Sequence, residues 1–134
     1  MIFVNMKNKD TDNLFIYGVL GLIILLIGVF IFIGNRPKES PPGAMELAQC
    51  LTEKGAKFYG ASWCSHCKAQ KDLFGGAAEK LPYIECAVGN GQARVCEEAG
   101  IEGYPTWVNA KGEKLSGEQS FEALAEFSGC VFNK

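Results

Sequence analysis

The segment Cys64-Ser65-His66-Cys67 contains the residues of this chain that are best suited to chemistry. It follows the apolar run AKFYG, which predicts a short buried strand, and Ser62 or Cys64 is expected to begin a helix. The first turn of a helix has unpaired N–H groups and the positive end of the helix dipole, and both stabilise a thiolate. Cys64 is therefore predicted to be a nucleophile, and Cys67, one turn later, to resolve the mixed disulfide that results.

His66, the only histidine of the chain, adds positive charge near the two sulfurs when it is protonated. This charge favours the reduced form and makes the disulfide a stronger oxidant, although an exposed histidine without consequence is the alternative. A metal site would need a second close cysteine pair, and Cys86 and Cys96 are too far apart in sequence, so no metal is predicted. A purely structural bridge between Cys64 and Cys67 would remove little chain entropy.

The composition limits the classes of protein to be considered. The chain has 134 residues and a formal net charge of −2, which argues against a nucleic-acid binder because such proteins usually carry a basic patch. Six cysteines form an even and high count for this length, which indicates disulfides and an oxidising compartment. Buried thiols of a cytosolic protein are the alternative.

Residues 14–33 form an uncharged apolar run of twenty residues. A helix of this length spans roughly the 30 Å hydrocarbon core of a bilayer. A buried core helix rarely needs such a run, and a cleaved signal peptide usually has a shorter apolar region followed by a small-residue site, whereas GNRPKES follows here. The run therefore predicts an uncleaved, single-pass anchor in the cell membrane.

The charges that flank this run do not orient it. Lys7 and Lys9 precede it and Arg36 and Lys38 follow it, so the positive-inside rule gives a tie. The expected disulfides decide the orientation, because they place the C-terminal part outside the cytoplasm, in a periplasm or at the cell surface.

The chain divides into four predicted segments: an N-terminal tail (1–13), the transmembrane anchor (14–33), a proline-rich linker (34–43) and a soluble domain (44–134). The patterns of the soluble domain predict helix, strand, helix, strand, helix, a two-stranded hairpin and a last helix, over 42–54, 56–60, 62–80, 82–86, 92–99, 105–117 and 121–128. This order indicates an α/β fold with a central mixed sheet flanked by helices.

A second motif, GYPTW, places Pro105 at the beginning of a predicted strand. Proline lacks an N–H group, so Pro105 is expected at a strand edge or in a cis turn. A cis proline beside the cysteines would leave neighbouring backbone groups free to pair with an extended substrate, and an ordinary turn is the alternative.

Together, FYGASWCSHCKAQ and IEGYPTW resemble the thioredoxin superfamily. Within it, GASWCSHCKAQKDLF, LPYIEC, VCEEAGIEGYPTW and GEKLSGEQSFEALAEFSG resemble the thioredoxin-like domain that is fused to, or partnered with, bacterial vitamin K epoxide reductase homologues. The resemblance covers about residues 44–134. Two positions depart from the pattern: Ser65 stands where relatives often have proline, and Phe58 stands where general thioredoxins carry a buried acid.

The resemblance implies a thioredoxin-like fold, with Cys64 as the attacking thiol, Cys67 as the resolving thiol and Pro105 as the cis proline. It implies a structural Cys86–Cys96 disulfide and no cofactor. The same two motifs supply the residues expected to bind substrate, namely Trp63, Tyr104 and Thr106.

The resemblance also implies a partner. A membrane quinone reductase of the vitamin K epoxide reductase type would reoxidise the cysteine pair, and it would be a separate protein because one span is not a helical bundle. Cys50 and Cys130 remain: their helices are expected on opposite faces of the sheet, which argues against direct pairing and leaves intermolecular pairing or free thiols open.

The sequence thus predicts a membrane-anchored thiol–disulfide oxidoreductase that acts on protein substrates outside the cytoplasm, and it favours an oxidant. The alternatives are a reductase or isomerase with reversed electron flow, a non-catalytic peptide-binding module, and a metal-binding module that uses Cys64, His66 and Cys67.

Overall fold

The computed structural model describes residues 9–34 and 38–133, and these residues form two separate units. The N-terminal unit is one helix, α1 (Lys9–Gly34), whose apolar side chains from Leu14 to Ile33 are exposed. The predicted anchor lies within α1, which is long and apolar enough to cross a membrane. Most of the predicted tail and residues 35–37 of the predicted linker lie outside the described residues.

The C-terminal unit alternates helices and strands as the sequence predicts. Its elements are α2 (Ala44–Glu53), β1 (Lys57–Gly60), α3 (Ser65–Phe74), a 3₁₀ turn (Gly75–Lys80), β2 (Tyr83–Glu85), β3 (Ala87–Val88), β4 (Gly91–Gln92), α4 (Arg94–Glu98), β5 (Thr106–Val108), β6 (Lys114–Ser116) and α5 (Phe121–Ser128). The short hairpin β3–β4 was not predicted, because only its Gly-Asn-Gly turn gave a signal.

The four-stranded sheet has the order β2-β1-β5-β6. Strand β1 pairs with β2 in parallel and with β5 antiparallel, and β5 pairs with β6 antiparallel. This register places Phe58 opposite both Tyr83 and Trp107, and the ring of Phe58 stacks on Trp107 at a centroid distance of 4.5 Å. The predicted mixed sheet flanked by helices is therefore confirmed.

Most of the core lies on one face of the sheet. Helices α2, α3 and α5 pack there against Phe58 and Trp107, both of which are completely buried. A smaller cluster, formed by Tyr59, Cys86, Cys96 and Ile101, covers the other face. Burial on both faces fixes the register of β1, because a slip by one residue would exchange the two sets of side chains.

Helix α3 ends at Phe74, earlier than the predicted end near Lys80, and the chain continues as the 3₁₀ turn. Gly75 has a φ of +57°, which L side chains rarely adopt. A Cβ at Gly76 would lie 2.1 Å from the carbonyl oxygen of Lys38, so this turn provides a close docking place for the end of the linker. Lys38 also forms an ion pair with Asp72, at 3.0 Å.

Two disulfides close the domain. Cys86–Cys96 joins the end of β2 to α4, as the resemblance implies. Cys50–Cys130 joins α2 to the segment after α5, with a Cα–Cα distance of 6.0 Å. The expectation that their helices lie on opposite faces was wrong, because α2 and α5 share the same core and contact each other directly.

Candidate active site

Strand β1 leads directly to the cysteine pair at the beginning of α3. Cys64 is the N-cap of this helix, with an extended backbone, and its Sγ accepts a hydrogen bond from the Cys67 N–H at 3.1 Å. The sulfur therefore satisfies one of the unpaired donors of the first turn, in the position that a serine or aspartate side chain usually occupies.

Both thiols of the pair are buried. Both are free, Cys64 is 7% exposed and Cys67 is 2% exposed. Burial, and next the hydrogen bond with the Cys64 side chain, raise the pKa of Cys67 to about 12, although the nearby Lys71 acts in the opposite direction. Cys67 is therefore a protonated thiol at neutral pH, and it must lose this proton before it can attack a disulfide.

His66 contacts the loop after β6, where its Nδ1 lies 2.5 Å from Oε1 of Glu118. Gln70, which is almost fully buried, holds this loop to α3 through two hydrogen bonds with the backbone of Gln119, at 2.6 and 3.1 Å. The sequence predicted His66 as a site residue but gave no signal for Glu118 or Gln70.

Trp63 and Tyr104 form one wall of an open cavity beside Cys64. Trp63 is 73% exposed and meets the ring of Tyr104 edge to face, at a centroid distance of 5.9 Å. The cavity has a volume of about 480 Å³, and Cys64 and His66 line it as well. A second cavity of about 760 Å³ continues past Trp63 and Tyr104 to the β3–β4 hairpin. Cys64 lines the first of these cavities and not the second.

The GYPTW motif lies where β5 begins. The Tyr104–Pro105 peptide bond is cis, the isomer that the resemblance implies, and Pro105 is buried. Thr106 is also buried, and its hydroxyl donates to the carbonyl oxygen of Gly103 at 2.8 Å. Of the residues expected to bind substrate, Trp63 and Tyr104 thus have side chains at the cavity, whereas the Thr106 side chain stabilises the loop from within.

A polar cluster, formed by Lys71, Tyr83 and Glu85, lies near Cys67. The Tyr83 hydroxyl donates to Oε2 of Glu85 at 2.8 Å, and Lys71 Nζ lies 3.2 Å from the centre of the Tyr83 ring. Burial alone would raise the pKa of Glu85, but hydrogen bonds from the Ala87 N–H, the Tyr83 hydroxyl and the Ser62 N–H outweigh it and hold that pKa below its usual range.

Among the described residues no group of three or more histidine, cysteine, aspartate or glutamate side chains is arranged to hold a metal ion. The thiols and the open cavity instead suit sulfur exchange with a second molecule. A buried strand that leads into a Cys-x-x-Cys helix, within a four-stranded mixed sheet, defines residues 38–133 as a thioredoxin-like domain.

Comparison with known proteins agrees with this class. The chain is 46% identical over 97 residues to the thiol-disulfide oxidoreductase LTO1 of Arabidopsis thaliana, covering 68% of this chain and 26% of that protein. It is 31% identical over 111 residues to a protein of Schizosaccharomyces pombe classed as a protein disulfide-isomerase, covering 75% of this chain and 22% of the relative. A protein disulfide-isomerase of Arthroderma benhamiae is 40% identical over 58 residues, which are 38% of this chain and 10% of that relative.

The chain spans about a quarter or less of the length of these relatives. No protein-family model matches it. The fold and the cysteine site make residues 38–133 a thioredoxin-like domain, and the relatives support its place in the thioredoxin-like superfamily.

Proposed function

We propose that this protein is a membrane-anchored thiol–disulfide oxidoreductase that exchanges disulfides with protein substrates outside the cytoplasm. Cys64 exchanges with the substrate and Cys67 closes or opens the Cys64–Cys67 disulfide. The observation that carries the proposal is the place of the Cys64 sulfur: it lies at the N-terminus of α3, accepts the Cys67 N–H and borders an open cavity.

The surroundings of the site support a protein substrate. Trp63 and Tyr104 offer apolar surface next to Cys64, and both cavities are open grooves of a size that suits an extended peptide segment. The names of the relatives, a thiol-disulfide oxidoreductase and protein disulfide-isomerases, also favour protein thiols over a small thiol as the substrate.

Two observations support the location. Helix α1 is long and apolar enough to span a bilayer, and its apolar side chains are exposed. The domain contains two disulfides, Cys50–Cys130 and Cys86–Cys96. Disulfides persist in oxidising compartments and are rare in cytosolic proteins. The anchored domain is therefore proposed to face the side of the membrane away from the cytoplasm.

The direction of electron flow is proposed to be that of an oxidant. The polarised end of α3, and the positive charge of His66 when it is protonated, stabilise the reduced, thiolate form, which raises the reduction potential of the disulfide. The completely buried Phe58, in place of an acid, removes a base that would assist a reductase. Ser65 departs from the proline of many relatives, so the potential has to be measured.

The potential of the Cys64–Cys67 pair discriminates between the oxidant and the reductase or isomerase. Full-length protein in detergent is equilibrated in glutathione buffers and its free thiols are counted by alkylation and mass spectrometry. A reduction potential of about −120 mV supports an oxidant, whereas one of about −270 mV indicates a reductase. Cys64→Ser should abolish exchange with a disulfide-linked peptide, and retention of full activity by this variant would refute the proposal.

The oxidant needs a partner that reoxidises it, and we propose a membrane quinone reductase of the vitamin K epoxide reductase type. The anchor would hold both proteins in the same bilayer, so that the exchange takes place at the membrane surface. In native membranes, Cys67→Ser should trap this partner as a mixed disulfide through Cys64. Recovery of soluble thiol proteins alone, with no polytopic membrane protein among them, would contradict this partnership.

A further inference from the structure

The resolving thiol Cys67 lies next to polar groups that the exchange chemistry described above does not use. Glycine at position 60 creates the gap between them: a Cβ there would stand 3.1 Å from Cys67 Sγ, 3.3 Å from the Tyr83 hydroxyl oxygen and 2.7 Å from the Tyr83 ring. The Cys67 sulfur and the Tyr83 oxygen are thus no more than about 6.4 Å apart, the sum of the first two distances. A water molecule can bridge two polar groups that are too far apart for a direct hydrogen bond.

The Tyr83 hydroxyl is oriented for proton transfer. Its hydrogen is donated to Glu85 Oε2 at 2.8 Å, so the lone pairs of its oxygen are left to accept from a second donor. The Glu85 carboxylate is held in turn by the N–H groups of Ser62 and Ala87, at 3.0 and 2.9 Å, and it is exposed to solvent. Protons that reach Glu85 can therefore pass to water.

The other ionisable groups of the site are placed differently. His66 is paired with Glu118. Phe58, the buried residue on the core face of β1 before the motif, is apolar and cannot accept a proton. Lys71 lies over the face of the Tyr83 ring, where its fixed positive charge favours a thiolate at Cys67 but offers no place for the proton. The charged or titratable side chains near Cys67, within the described ranges, are Cys64 and Lys71 from α3 and, from β2, Tyr83 with Glu85 behind it.

We propose that Tyr83 and Glu85 form the proton relay of Cys67. This inference rests on the proposed exchange function. When Cys67 resolves a mixed disulfide on Cys64, its S–H proton passes to the Tyr83 oxygen while the Tyr83 hydrogen passes to Glu85. The Cys67 sulfur forms the bond to the Cys64 sulfur with its electron pair, and the bond from Cys64 to the substrate sulfur breaks, so that the substrate leaves as a thiolate.

In the oxidising direction the same step runs backward. A substrate thiolate attacks the Cys64 sulfur, the Cys64–Cys67 bond breaks, and Cys67 leaves with the electron pair and takes a proton from Tyr83, which Glu85 and solvent replace. The relay therefore serves either direction of electron flow. Burial and the hydrogen bond to Glu85 raise the pKa of Tyr83, so its hydroxyl stays neutral and is able to pass protons both ways at neutral pH.

The test is Tyr83→Phe in the full-length protein in detergent. This variant removes the hydroxyl and retains the ring, with its contacts to Phe58 and Lys71. The matched control is Tyr59→Phe, because Tyr59 lies on the neighbouring strand but packs into the cluster on the opposite face of the sheet. Reduced protein is mixed with glutathione disulfide and quenched with acid, and mass spectrometry follows the Cys64–glutathione adduct and the Cys64–Cys67 disulfide over time.

Tyr83→Phe should form the adduct at the rate of the wild type and resolve it about a hundredfold more slowly at pH 7, because a positioned proton-transfer group typically contributes about 10²–10⁴-fold. Its resolving rate should rise about tenfold for each pH unit, since solvent must now remove the proton, whereas the wild type should depend less on pH. Tyr59→Phe should match the wild type in both steps. Glu85→Gln, which retains a hydrogen-bond acceptor but not the base, should also slow the resolving step.

Equal resolving rates for Tyr83→Phe and the wild type would overturn the relay and leave the exchange function standing. An equal slowing of both steps by Tyr83→Phe would also overturn it, because a general disturbance of the site would then explain the result. If the wild type itself formed neither the adduct nor the disulfide, the result would refute the proposed exchange function, and the relay would be refuted with it.

Discussion

Removal of the Cys50–Cys130 disulfide gives the most direct quantitative test of the fold. The two cysteines are separated by 80 residues, and the chain-entropy relation assigns a loop of this length about 4.5 kcal/mol of stabilisation at 25 °C. For Cys86–Cys96, with a separation of 10, the same relation gives about 2.7 kcal/mol. A domain of this size has a total stability of about 5–15 kcal/mol, so the long loop carries a large share.

Cys50→Ala with Cys130→Ala should therefore lower the free energy of unfolding by about 4 kcal/mol. Both side chains are only half-buried, so lost packing adds little to the effect. Urea unfolding of the full-length protein in detergent is followed by tryptophan fluorescence, because both tryptophans, Trp63 and Trp107, lie in the domain. The rate of disulfide exchange at Cys64 should be unchanged at urea concentrations below the unfolding transition.

Cys130→Ala alone is the control for this experiment. It breaks the same bridge and leaves the Cys50 side chain in place, so the single and the double variant should lose nearly the same free energy. A loss below about 1 kcal/mol for the double variant would refute the reasoning, since the bridge would then not constrain the unfolded chain.

Three further predictions concern charge and the linker. His66→Ala should lower the reduction potential of the cysteine pair by no more than about 20 mV, because exposed charges are screened by solvent, while Lys68→Ala, on the same helix, should leave it unchanged in the same glutathione titration. The folded-state pKa of Glu85 is depressed. The stabilisation that Glu85 gives is therefore complete above the ordinary glutamate pKa, near about 4.3, and is lost as the pH falls through the folded-state pKa. Glu85→Gln should flatten the acid limb of the stability curve, and an unchanged limb would contradict the cause assigned to the depressed pKa. Gly76→Ala should displace the linker, because its Cβ would meet the Lys38 carbonyl oxygen, and trypsin should then cleave after Lys38 faster than in the wild type.

Local signals were sufficient to predict several elements from the sequence. Helix α5 has the predicted bounds, since the Ser120 hydroxyl accepts from the N–H of Ala123 and Gly129 ends the helix with a φ of +73°. The cysteine helix was predicted to begin at Ser62 or Cys64, and Cys64 is its N-cap. Capping and turn residues act over a few positions, so the printed sequence contains the information they need.

Contacts between distant segments were not predictable in this way. The α2–α5 packing that permits the Cys50–Cys130 disulfide depends on which face of the sheet each helix covers, and the periodicity of a helix does not say this. The His66–Glu118 pair joins residues 52 positions apart. Strands β3 and β4 have two residues each, too few for a strand pattern, and they pair in a hairpin that directly follows Cys86 of the Cys86–Cys96 bridge.

The polar cluster behind Cys67 was missed for a related reason. Tyr83 and Glu85 belong to a strand that the sequence predicts, but their side chains approach Cys67 only because β2 pairs with β1 in parallel and Gly60 leaves a gap between them. A strand pattern shows the side chains that alternate between faces, and it does not show which neighbour each face will meet.

The account depends most on Cys64 as the thiol that attacks and Cys67 as the thiol that resolves. Full-length Cys67→Ser and Cys64→Ser, both reduced, are treated with a disulfide-linked peptide, and the adduct is located by peptide mapping. Cys67→Ser should accumulate a stable adduct on Cys64, and Cys64→Ser should form almost none, because Cys67 is 2% exposed and protonated at neutral pH. An adduct on Cys67 that forms as fast as the one on Cys64 would contradict the account.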